Sequence, residues 1–121
     1  MTIDIHLVNG VKIAEIRSPD VLISETQDAL DLMGESTYLD SRKMILHEKN
    51  VIPDFFDLKT GIAGDILQKF STYNIQLAIV GDFSKYSSKS LKEFIYESNK
   101  IGRISFVNSV EEAKIRLAKF S

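Results

Sequence analysis

The stretch PDFFDLKTGIAGDILQKF, residues 53–70, holds the residue types in this chain best suited to chemistry. Thr60 and Gly61 stand at the predicted start of a helix, behind Phe55, Phe56, Asp57 and Lys59. A helix start leaves N–H groups unpaired and carries partial positive charge, so an anion or a phosphoryl group on Thr60 would be well tolerated there. Thr60 and Gly61 are therefore the candidate phosphoacceptor or anion site. Loops that follow parallel strands gather at one end of an α/β sheet. On that ground Phe55, Phe56, Asp57 and Lys59 join Asp82, Ser84 and Tyr86 in a candidate recognition edge, which Asp54, Lys85, Asn108 and Ser109 also reach. A purely structural reading stands beside this one. Thr60 is then an ordinary cap, Asp57 caps an upstream turn, and Gly61 and Gly64 let the helix lie close to the sheet. Phe55 and Phe56 serve as core plugs, or one of them as an exposed contact.

Other chemistries find little support. GIAGDI lacks the spacing and the Gly-Lys-Ser/Thr of a phosphate-binding loop, and it is not G-x-G-x-x-G. His47-Glu48 begins like a zinc-protease helix, but Val51 stands where the second histidine is needed. His6 is the only other histidine, so a metal site or catalytic triad is not expected, and both read as surface or sheet residues. Asp54 and Asp57 form a carboxylate pair without partner charges, so solvated loop residues are the default. No acidic pair ends the first parallel strand as a phosphoreceiver would require. The hydroxyl- and lysine-rich segment DFSKYSSKSL (82–91) reads as a polar loop leading into a helix cap. No catalytic residue, metal or cofactor is assigned.

The elements that must position these residues follow from periodicity. Ile3, Ile5 and Leu7 alternate with polar neighbours, and Val11, Ile13, Glu15 and Arg17 continue after Asn9-Gly10, the signature of a hairpin. Ala29, Leu30, Leu32 and Met33 mark a helix, 43–48 a strand, and Ile62, Ile66, Phe70 and Tyr73 the stripe of a second helix. The apolar run 75–82 reads as a central strand, buried on both faces. Leu91, Phe94, Ile95 and Ser98 line a third helix closed by Gly102, 103–107 is a strand, and Val110, Ala113, Leu117 and Phe120 mark a fourth helix. The fold class is α/β, a mixed sheet with an N-terminal antiparallel hairpin followed by alternating helices and strands, in a single domain over 1–121. Three helix starts carry the residues of a capping box: Ser24 with Gln27, Ser90 with Glu93, and Ser109 with Glu112. The start at Thr60 has Ala63 in place of the returning carboxylate, which singles it out.

Composition bounds the partners. The chain has 121 residues, 44% apolar and 26% charged, with a net charge of −2, so it carries no electrostatic footprint for nucleic acid. It has no cysteine, compatible with a reducing cytoplasm. No apolar run approaches a membrane span, and the N-terminus has no cationic start or apolar core of a signal peptide. A cytoplasmic protein is expected, with a protein partner or a homodimer through the hairpin's edge strand.

FFDLKTGIAGDILQKF, LAIVGDFSKYSSKSLKEFIYESN and GRISFV together resemble the bacterial family called domain of unknown function 4180, over most of the chain. The element order, the size and the segment Asp57-Leu58-Lys59-Thr60-Gly61 also resemble the STAS domain of anti-sigma-factor antagonists and sulphate transporters. NSVEEAKIRL is similar to that family's closing helix. That resemblance implies a regulatory module in which Thr60 takes the place of the phosphoacceptor serine, with Gly61 and Asp57 matching the flanking glycine and aspartate. The segment here is one residue longer. The expectation is a regulatory or interaction module with a STAS-like fold. The alternative is a small-molecule or anion-binding site at the carboxyl edge of the sheet, one that uses Asp57, Lys59, Thr60, Asp82 and Lys85.

Overall fold

In the computed structural model, which describes residues 1–119, a five-stranded mixed sheet runs in the order β1-β2-β3-β4-β5. The strands are β1 (Thr2–Val8), β2 (Val11–Arg17), β3 (Lys43–His47), β4 (Gln76–Val80) and β5 (Ile104–Val107). β1 and β2 pair antiparallel and the remaining neighbours pair parallel. The helices are α1 (Thr26–Tyr38), α2 (Ile62–Thr72), α3 (Lys89–Ile101) and α4 (Val110–Lys119). Three short 3₁₀ turns, Glu48–Asn50, Pro53–Phe56 and Leu58–Thr60, bridge β3 and α2. The expected element order and mixed sheet are thus observed, and the Phe120 expected on the last helix lies outside the described residues.

Alternation divides the sheet between two cores. Met44, Leu46, Leu77, Ile79, Ile104 and Phe106 face α1, α2 and α3 in the larger core. Ile13, Ile45, Ala78 and Val107 face the other way and meet Ala113 and Leu117 of α4. Strands β4 and β5 are therefore buried on both faces, as a continuous apolar run requires.

The turn chemistry is as the residues dictate in two places. Asn9 and Gly10 both take positive φ, 51° and 79°, which lets a two-residue turn follow the twist of the hairpin. Gly102 closes α3 in the left-handed region.

The helix starts depart from expectation. α1 begins after Glu25, and Asp28, not Gln27, reaches back to accept from the N–H groups of Ser24 (2.9 Å) and Glu25 (3.1 Å). α3 is capped by Ser88, whose Oγ accepts from Leu91 N–H at 3.2 Å, so Ser90 lies inside the helix. Only Ser109 caps as expected, accepting from Glu112 N–H at 3.1 Å, while the Glu112 carboxylate serves Asn108 N–H. In both misassigned segments several hydroxyls and carboxylates compete for the same orphan N–H groups, and spacing alone does not choose among them.

Candidate functional site

The turns at 53–61 form a folded connection. Phe55 and Phe56 are buried, at 1% and 6% exposure, so of the two alternatives they are core plugs and neither is an exposed contact. They belong to an aromatic cluster: Phe56 stacks on Tyr86 (centroids 5.0 Å, 18° between planes) and Phe55 packs on Phe106 at 6.3 Å. Asp57 caps the following turn by accepting from Lys59 N–H at 3.2 Å. Thr60 is exposed, yet its Oγ lies 2.8 Å from each of the Asp54 and Asp57 carbonyls and accepts weakly from Ile62 N–H at 3.3 Å. Gly61, at φ 78°, is the N-cap of α2 and supplies no side-chain cap. A Cβ placed on Gly61 or Gly64 would meet nothing within 4 Å, so neither glycine is there for close packing.

The expected edge is split rather than continuous. Asp82, Ser84 and Asn108 line one shallow cleft with Gly81 and Phe106. The Asp82 carboxylate accepts from Ser84 Oγ (2.6 Å) and N–H (3.1 Å), which holds its pKa below the usual carboxylate range. Lys85 and Tyr86 line a second cleft with Glu48, Val51, Pro53 and Phe56. There Glu48 accepts from Tyr86 Oη at 2.8 Å and pairs with Lys85 at 2.7 Å. Burial, then the Glu48 hydrogen bond and charge, push the Tyr86 phenol well above its ordinary value. Gly81 makes room for this: a Cβ there would lie 2.7 Å from Glu48 Cβ. Asp57, Lys59 and Thr60 line neither cleft.

A half-buried cluster of one carboxylate and two histidines lies elsewhere and was missed by sequence reasoning. Glu15 of β2 is only 7% exposed. His6 on β1 approaches one of its carboxylate oxygens with Nε2 at 2.8 Å, and His47 on β3 approaches the other with Nε2 at 3.1 Å. With a carboxylate as acceptor, both imidazoles donate from Nε2. Burial alone would raise the Glu15 pKa; the two hydrogen bonds and the histidine charges outweigh it and hold the carboxyl below the usual range. The hairpin register sets Asp4 opposite Glu15 and Thr2 opposite Arg17, so all four share a face with His6. That register follows from a two-residue turn after Val8 and was available from Asn9-Gly10; the placement of His47 was not. Asp4 pairs with Arg17 at 2.6 Å.

Glu15 and His47 line an open cleft of about 550 Å³ with Thr2, Arg17, Ser18, Pro19 and Lys49. Asn50, fully buried, ties its two walls together. Its Nδ2 donates to the carbonyls of Ser18 (2.9 Å) and Asp20 (2.8 Å), and its Oδ1 accepts from His47 N–H at 3.1 Å. Its carbonyl accepts from the N–H groups of Leu22 (2.7 Å) and Ile23 (3.0 Å). Among the described residues no cluster of three His, Asp or Glu side chains has the geometry to hold a metal ion.

Fold and site together define a small α/β domain with a mixed sheet and a carboxylate–histidine cluster at the carboxyl ends of β2 and β3. A family model described as domain of unknown function (DUF4180) matches residues 8–117, and the chain belongs to that family. No curated protein and no solved structure matches it. Among the described residues no helix is long and apolar enough to cross a membrane.

Proposed function

We propose that this chain is a small regulatory module that binds an anionic small molecule in the cleft between the ends of β2 and β3. The observation that carries the reading is Glu15: a buried carboxylate clamped by histidines from both neighbouring strands, beneath a rim holding Arg17 and Lys49. An apolar residue at that position would serve folding without the desolvation cost of a buried charge. What the carboxylate provides is two imidazoles held in one orientation, with His47 facing the cleft. Arg17 and Lys49 offer the donors that recognise carboxylate or phosphate groups.

The test is a titration of the protein with inorganic phosphate and with short mono- and dicarboxylates, followed by NMR of the two imidazoles and the backbone. Binding in this cleft perturbs His47, Ser18 and Lys49 first and weakens at least tenfold in Lys49→Ala. If no anion at millimolar concentration moves those resonances, the proposal fails.

A second reading, a cytoplasmic interaction module controlled at Thr60, has one observation in its favour. Thr60 is exposed beside α2, the helix whose N-cap, Gly61, has no side chain to close it. The likeness of the 57–61 segment to the STAS phosphoacceptor loop supports the same view. It predicts a phosphorylated Thr60 in protein isolated from its native cell, detectable by mass spectrometry. An unmodified Thr60, with Thr60→Ala and Thr60→Glu behaving alike toward a captured partner, would exclude it.

A further inference from the structure

β1 is an edge strand with little of the usual protection, its one carboxylate, Asp4, being paired with Arg17. It runs for 7 residues in unbroken register with β2, without proline, lysine or bulge. Ile5 and Leu7 are 40% and 71% exposed on the face opposite His6. The backbone is equally open. The two-residue turn makes Val8 and Val11 a hydrogen-bonded pair, and alternation then turns Val8, His6, Asp4 and Thr2 toward β2. The N–H and C=O groups of Ile3, Ile5 and Leu7 point outward, unpaired by the sheet.

We infer that a second copy of this chain pairs antiparallel along β1, with the two-fold axis at Ile5, to give a continuous ten-stranded sheet. Three registers bring two or more of these outward residues on each strand opposite outward residues of the other. With the axis at Ile5, Ile3 pairs with Leu7 of the partner subunit and Ile5 with its own copy, giving about six ladder hydrogen bonds. On the other face Asp4 then stands directly opposite His6 of the partner subunit, in the closer, non-hydrogen-bonded type of pair. With the axis at Asp4, two aspartates oppose one another; with the axis at His6, two histidines do. Two carboxylates directly opposite repel, and either off-centre axis leaves Ile3 or Leu7 without an outward partner in the facing β1, so the central register is selected. Only the central register pairs all three outward residues of both strands.

The pairing also reaches the site. His6 gives Nε2 to Glu15, and in this register the same imidazole stands opposite the partner's Asp4. The inference does not depend on the identity of any ligand, and its failure would leave the anion reading intact.

The chain has no cysteine, so single cysteines report cleanly. Opposed residues at the axis lie about 5.5 Å apart between Cα atoms, within disulfide reach, whereas two copies of residue 2 lie roughly 20 Å apart. Ile5→Cys is expected to form a disulfide-linked dimer on mild oxidation. Thr2→Cys should not link to itself but should link to Val8→Cys when the two are mixed. Wild-type protein should sediment as a dimer at about 100 μM, and Leu7→Lys, at a side chain 71% exposed, as a folded monomer by circular dichroism. A monomeric wild type, or efficient Thr2→Cys self-linkage without Ile5→Cys linkage, overturns the proposal.

Discussion

Asn50 offers the sharpest test of how the cleft is built. Substituting alanine removes three side-chain hydrogen bonds, to Ser18 O, Asp20 O and His47 N–H. Asp20 is exposed and its carbonyl can take water, whereas Ser18 is buried and His47 half-buried. At about 1 kcal/mol per bond, with more for each group left dry, the expected loss is about 3 kcal/mol. Unfolding entropy of about 2.1 cal/mol/K per residue over 121 residues converts this to a fall in Tm of roughly 12 °C. Asn50→Asp should lose at least as much, because it keeps the acceptor for His47 N–H but aims a carboxylate oxygen at two carbonyls. Urea unfolding followed by circular dichroism gives the free energy. Hydrogen exchange at Leu22 and Ile23, which donate to the Asn50 carbonyl, should accelerate in both variants. An Asn50→Ala protein within 0.5 kcal/mol of wild type would refute the view that this residue locks the two walls.

Three further outcomes follow from the same geometry. The Glu15 carboxyl is held below its ordinary value of 4.5, so its contribution to stability is present above that value and is lost as pH falls through the lowered one; the stability gap between wild type and Glu15→Gln, measured by urea titration, should shrink as pH falls below 4.5. A gap independent of pH would contradict the ionised, histidine-bonded state. The Tyr86 phenol is raised above 10.0, so its contribution is present below pH 10 and is lost as pH rises through the raised value; in an alkaline absorbance titration one of the four tyrosines should lag, and Tyr86→Phe should remove that component. Gly81→Ala must displace Glu48 and cost about 1–3 kcal/mol, with loss of the Tyr86 lag as a second readout; a neutral substitution would show that Glu48 is free to move.

Local chemistry made much of the fold legible. Asn9-Gly10 specified a turn, alternation in β1 and β2 specified two faces, the apolar run of β4 specified a strand buried on both, and Gly102 specified a helix end, because in each case few conformations satisfy those residues. Residues 18–25 and 82–90 were misread at their caps, since Ser24, Glu25, Asp28, Ser88 and Ser90 offer competing acceptors and packing decides. The aromatic pair Phe55-Phe56 reads the same in sequence whether it plugs a core or meets a partner; burial distinguishes them. The Glu15 cluster was half legible. The hairpin turn alone brings His6 diagonal to Glu15, but His47 arrives only through the parallel pairing of β2 with β3, in which Glu15 lies beside Ile45. That register is set by a crossover through α1, which no local pattern encodes.

Among the described residues α4 is the only helix on its face of the sheet, and it follows all five strands. During synthesis on the ribosome the larger core can therefore close while Ile13, Ile45, Ala78 and Val107 still lie bare. For the time needed to translate the last helix, the nascent protein presents an apolar stripe of the kind that chaperones bind and that drives misassembly. Folding of this domain is vectorial in that sense: one face matures as the chain emerges, and the other waits for Ala113 and Leu117.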